Sequence, residues 1–199
     1  MKLRSLVASL ACVVALCTAA FAADDPTLAA WKGEYVSVET YWADARTDDF
    51  YAKIAEEAKK QGKESTAEGT KKSMLHRYYA PFTACTIDEN TITFKMKDGS
   101  ERKVEYVYAG SIKGGKGSWT WFKAADEKDL ANFDLSNIVM TVNHGTPAHF
   151  HFRIGSANGA TLMSDPRLAD WHGTMNAGAA DYDAYMKNFD AARYVKFAL

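Results

Sequence analysis

A chain of 199 residues with a formal charge of −1 gives no reason to expect a nucleic-acid partner, whose binders carry basic patches. Its 47% hydrophobic content is enough for one buried core. After the first two dozen residues no apolar run is long enough to span a bilayer, so no membrane insertion is expected of the processed protein.

Residues 1–22 read as a secretory signal peptide. Lys2 and Arg4 open it, Leu6 to Leu16 is almost unbroken apolar sequence, and Ala20-Phe21-Ala22 places small residues around a cut. A lipid-anchored start fits less well, because Leu16 is too large before Cys17 and a cut before Cys12 leaves a very short apolar stretch. Residues 23–199 are then expected to form a single exported domain. Losing Lys2 and Arg4 takes the charge from −1 to −3. Only Cys85 remains as a thiol, which excludes an intramolecular disulfide; it reads as a buried strand residue, with soft-metal ligation as the lesser alternative.

Leu28, Trp31, Gly33 and Tyr35, with Val36 and Val38 behind them, predict an aromatic opening strand. Residues from about Thr40 to Tyr79 read as helical. Phe50, Ile54, Ala55 and Ala58 keep a three-four spacing, with Asp48 and Asp49 early and lysines late. Gly62 and Gly69 divide the zone into two short helices. After Pro81 alternation takes over: Ile92, Phe94 and Met96 share one face, Asp98-Gly99 signals a two-residue hairpin, and Val104, Tyr106 and Tyr108 return together. A glycine-rich turn leads into Trp119 to Phe122, and the segments 137–143 and 148–154 follow. The tail from Asp165 to Tyr194 reads as helical again. Consecutive antiparallel strands without helical crossovers predict a mostly β domain, an up-and-down barrel or curled sheet. The helical insert and helical C-terminal segment would pack against it.

Three of the five histidines fall within the eight residues from His144 to His151. Ile138, Met140, Val142 and His144 alternate along one segment; His149, His151 and Arg153 alternate along the next. Gly145 and Pro147 make the piece between them a turn. If residues 145–148 form the loop, His144 lies opposite His149 on one side of an antiparallel ladder, and His151 shares that side two residues on. Three imidazoles converging on one point suit zinc, which takes nitrogen ligands tetrahedrally. Burying them without a metal would leave several ring nitrogens to satisfy. His76 and His172 have no such company and read as surface or packing residues.

The segment Ala148-His149-Phe150-His151, running on through Gly155 and Leu162 to Asp170-Trp171, resembles the ZinT (YodA) family of periplasmic zinc-binding proteins. So does the opening Leu28-x-x-Trp31-x-Gly33-x-Tyr35-x-Ser37. The resemblance covers essentially the whole mature chain. It implies a lipocalin-like (calycin) barrel in the periplasm, with His144, His149 and His151 as metal ligands. It also implies zinc, and cadmium besides, as the bound ion, and either zinc buffering or delivery to the solute-binding component of a zinc ABC transporter. Two features depart from the family: residues 23–30 lack the histidine-rich start of several relatives, and the spacing from His144 to the pair is short.

Two other readings remain open on the residues alone. A three-histidine zinc centre with an open fourth position also suits a hydrolase or lyase, in which His172 would be a conceivable ligand. No carboxylate relay stands nearby in the sequence to serve it. A lipocalin-type cavity lined by Tyr106, Tyr108, Trp119 and Trp121 would instead suit a carrier of small apolar ligands.

Overall fold

The computed structural model describes residues 25–114, 117–126, 134–145, 148–169, 171–178, 182–187 and 189–197. The expected signal peptide therefore lies outside the described residues, as do parts of the glycine-rich turn and of the charged loop near 126–129. Among the described residues no helix is long and apolar enough to cross a membrane.

Eight antiparallel strands pair in chain order and close into a barrel: β1 (Gly33–Ser37), β2 (Phe82–Ile87), β3 (Thr91–Met96), β4 (Glu101–Gly114), β5 (Gly117–Ala124), β6 (Asn137–Met140), β7 (His149–Gly155) and β8 (Gly173–Ala177). The closing pair, β1 with β8, matches Tyr35 to Ala177 and Ser37 to Met175. This is the mostly β barrel with helical additions that the sequence pattern predicts. Helices α1 (Val38–Ala43), α2 (Asp48–Lys60) and α3 (Ala67–Tyr78) form the insert. Helices α4 (Gly159–Ser164), α5 (Tyr182–Met186) and α6 (Ala191–Tyr194) follow β7 and β8.

Strand periodicity sets what the barrel encloses. Along β7, Phe150, Phe152 and Ile154 point inward, and they are buried with Phe94 and Met96 of β3 and Tyr106 of β4. Rings fill the interior: Trp31 meets Phe122 edge-on at 5.7 Å, Tyr35 meets Phe150 at 4.9 Å, and Phe82 lies 4.7 Å from Phe94 and 5.3 Å from Phe152. Tyr106 belongs to this core and donates its hydroxyl to the Leu135 carbonyl at 2.7 Å. Trp121 sits on the opposite face of β5 from buried Phe122 and donates to Asn137 Oδ1 at 2.9 Å. The four aromatics expected to line an apolar-ligand cavity thus divide between the two faces of the wall, and the inward ones pack a core. Cys85 is also part of that core, where burial pushes its thiol up; the metal-ligand alternative for it fails on position.

A second core covers the outside of β1 and β8. Its centre is Trp42, fully buried, stacked on Tyr78 at 5.7 Å and packed with Phe50, Tyr51, Phe189 and Tyr194. The outer face of β8 is therefore covered: Thr174 and Asn176 are buried, as is inward-facing Met175.

Several local expectations are corrected. The opening strand begins only at Gly33, because Leu28–Trp31 forms a 3-10 turn capped by Thr27. The insert holds three helices rather than two, since Ser37 caps Val38–Ala43 despite its β-branched and aromatic residues. In the β3–β4 hairpin the Gly99 N–H closes a turn on Met96, so Lys97 and Asp98 are its central residues and Gly99 follows at φ 84°. The tail is not helical throughout: Gly173–Ala177 is the strand that closes the barrel.

Candidate metal centre

His144 and His149 face each other as an isolated antiparallel bridge and exchange both backbone hydrogen bonds, each 2.9 Å. Their side chains leave the ladder on one side, and the ring centroids are 4.3 Å apart. His151 lies 5.1 Å from His144 and 5.3 Å from His149 by the same measure. The ligating atoms of all three lie within 4.8 Å of one another. A tetrahedral zinc with bonds of roughly 2.0–2.1 Å spaces its ligands about 3.3 Å apart, so small ring rotations complete the fit. This group contains no carboxylate or thiol among the described residues.

One expectation about how His144 arrives is wrong. Strict alternation puts it on the face of Ile138 and Met140, which point into the barrel. Between the pairs Met140↔Phe152 and His144↔His149 the chain has three residues on one side, 141–143, and two on the other, 150 and 151. The extra residue bows the backbone out, leaves Val142 exposed and turns His144 to the outer face with His149 and His151. Two side chains hold the bow: Trp31 Nε1 donates to the Thr141 carbonyl at 2.6 Å, and Asn143 Nδ2 donates to the Tyr35 hydroxyl at 2.8 Å.

Hydrogen bonds fix which nitrogen two of the rings offer. His144 Nδ1 lies 3.0 Å from the Val142 carbonyl, which only accepts, so Nδ1 carries the proton and Nε2 the free lone pair. The His151 case has one more step. Thr174 Oγ1 donates its single proton to the His172 carbonyl at 2.8 Å, so it must accept from His151 Nδ1 at 2.9 Å. His151 is left with Nε2 as its ligand atom. Such outer partners tune affinity, and removing one costs roughly 10–100-fold. Thr174→Val, which keeps the shape and deletes the acceptor, should lower zinc affinity by about that factor without changing stoichiometry. Competition against a chromophoric chelator measures it.

Burial is the main cause that lowers the His151 pKa to about 3, with the neighbouring imidazoles of His172, His149 and His144 adding to it. His151 is thus neutral, and ligand-ready, throughout the physiological range. Three ordinary imidazoles would compete for three protons in acid. Here zinc uptake near pH 5 should displace no more than two protons per ion, read from calorimetry in buffers of different ionisation enthalpy.

Sequence reasoning missed Thr174 and Asn176 beside the trio and brought His172 to it only under the enzyme alternative. His172, read as a turn or packing residue, has its ring 4.3 Å from His151, and burial together with Arg77 and Arg153 lowers its pKa to about 4. Thr174 and Asn176 pair with His151 and His149 across β7–β8. The signal for them was the alternation His172, Thr174, Asn176, hidden inside a stretch read as helix. His76 is exposed, one of the two readings given for it, and is not part of the trio.

Residues 18–184 match the model of the ZinT (YodA) periplasmic lipocalin-like zinc-recruitment family. The chain belongs to that family. Among solved structures it is similar to Zn(II)-bound AdcA from Streptococcus pneumoniae, with a TM-score of 0.62 and 23% identity over 86% of this chain and 36% of that one. It is also similar to the Zn(II)-bound ZinT-like domain of the same AdcA, with a TM-score of 0.56 and 22% identity over 88% of this chain and 91% of that domain. The chain thus spans about a third of full AdcA and nearly all of its ZinT-like domain. A search of curated proteins returned no significant match. At these identities the neighbours speak for the shared ZinT fold.

Proposed function

We propose that this chain captures zinc in the periplasm through His144, His149 and His151, and buffers it or delivers it to the solute-binding component of a zinc uptake transporter. Cadmium, a divalent ion that imidazole nitrogens also bind, would occupy the same site. The observation that carries the reading is the convergence of three ring nitrogens, two of them with tautomers already set for ligation. Membership of a zinc-recruitment family and the zinc bound by AdcA's ZinT-like domain support the choice of ion.

Delivery rather than catalysis fits the position of the ligands. His144 is exposed while His149 and His151 are half-buried, and three protein ligands leave a fourth position where an acceptor's side chain can attack. Zinc enzymes commonly orient their ligands with a carboxylate, and none joins the trio among the described residues. The test is a zinc titration of wild type and of the triple alanine variant at 144, 149 and 151. One ion per chain is expected for the first and none for the second; full stoichiometry in the variant would end the assignment.

A further inference from the structure

Between the barrel wall and the helical layer lies a cavity of about 350 Å³, near the lower end of the roughly 300–1,000 Å³ typical of small-molecule sites. His149, His151, Thr174 and Asn176 form its barrel side; tyrosine and phenylalanine rings and the exposed Arg193 of α6 form the other. Asn176 is fully buried, and neither its Nδ2 nor its Oδ1 has a hydrogen-bond partner. Native proteins rarely leave both halves of a buried amide unsatisfied. Its strand partner is His149, so the amide leaves the sheet on the same side as that imidazole.

Building on the zinc reading, we propose that the cavity takes a small carboxylate bearing an N–H or O–H donor, an α-amino acid being the simplest, as the fourth zinc ligand. The charges favour an anion. Three neutral imidazoles leave the ion's double positive charge uncompensated, and no carboxylate lines the cavity among the described residues; Arg193, whose Nε lies 3.9 Å from Asp190 Oδ2, has further guanidinium donors to offer an anion. The amide favours the second group. A carboxylate accepts from Asn176 Nδ2 while the adjacent donor satisfies Oδ1, a pairing a simple carboxylate cannot complete. Zinc would then be held as a ternary complex, the metal on the histidines and the organic ligand between metal, Asn176 and Arg193.

The experiment uses the zinc-loaded mature chain, titrated with glycine and separately with acetate by calorimetry, with native mass spectrometry to count zinc and glycine on the same molecule. Glycine should add to the zinc-bound mass, and acetate should bind more weakly. Asn176→Ala should weaken glycine about tenfold, as expected for losing a hydrogen bond to a charged group. Arg193→Gln, on an exposed helix face and harmless to folding, should weaken it too, with zinc stoichiometry unchanged in both variants. Zinc-loaded protein that ignores glycine, or that binds it equally in wild type and both variants, overturns the proposal and leaves water in the cavity. A wild-type chain that takes up no zinc at all would instead overturn the metal reading beneath it.

Discussion

His151→Ala should reduce zinc affinity roughly a hundredfold to a thousandfold, about one ligand's share of the ~10–16 kcal/mol that holds zinc in a complete four-ligand protein site. Of the three proposed ligands, His151 is the one to remove because it is the best prepared. Its ring is positioned by Thr174, its tautomer is fixed through the His172 carbonyl, and burial keeps it neutral. His144→Ala removes an exposed ring at the rim and should cost less. The same substitution carries an opposite effect on the metal-free fold. The folded His151 pKa is about 3, below the ordinary value near 6.5 that it recovers on unfolding. The unfolded chain therefore binds more protons, and stability falls as pH drops from about 6.5 towards 3. Alanine abolishes that term. Metal-free His151→Ala should lose less melting temperature between pH 7 and pH 4 than metal-free wild type, while binding zinc worse at every pH. A variant that bound zinc normally would sink the ligand assignment; one that lost stability in acid as steeply as wild type would sink the electrostatic account.

The trio was legible in the sequence because the interactions that build it are local. A short hairpin places His144 against His149, and the two-residue period carries His151 to the same side, so eight residues contain the whole device. The face it occupies was not legible. Alternation from Ile138 and Met140 aims His144 inward, and only the extra residue in 141–143, held by Trp31 and Tyr35 more than 100 positions away, turns it out. The strand that supplies Thr174 and Asn176 was missed for a related reason. Gly173–Ala177 alternates polar Thr174 and Asn176 about apolar Met175, but over only five residues set between segments with helical signals, too short a run for the two-residue period to stand out. Its pairing with β7 spans 23 residues in the case of His151 and Thr174 and is set by barrel closure, a property of all eight strands together.

Trp42→Ala tests whether the helical layer and the metal centre are separable. Trp42 is the most connected ring of the outer core, and truncating a buried tryptophan costs about 3–5 kcal/mol. For a chain of this size that corresponds to a melting temperature lower by roughly 6–20 °C. The loss should be concentrated where the ring packs: α1, Tyr78 at the end of α3, and the C-terminal rings Phe189 and Tyr194. Hydrogen exchange should show those segments opening while β3 to β6 stay protected, as expected of a region that unfolds below the global free energy. The three proposed ligands ride on the barrel, His149 and His151 within β7 and His144 bridged to it, so zinc stoichiometry at 25 °C should survive. The cavity has the opposite dependence, because its far wall is made by rings that Trp42 supports. Zinc should therefore remain in Trp42→Ala while any small molecule held above it is lost. Loss of zinc itself would mean that the helical layer contributes to the centre as directly as the strands do.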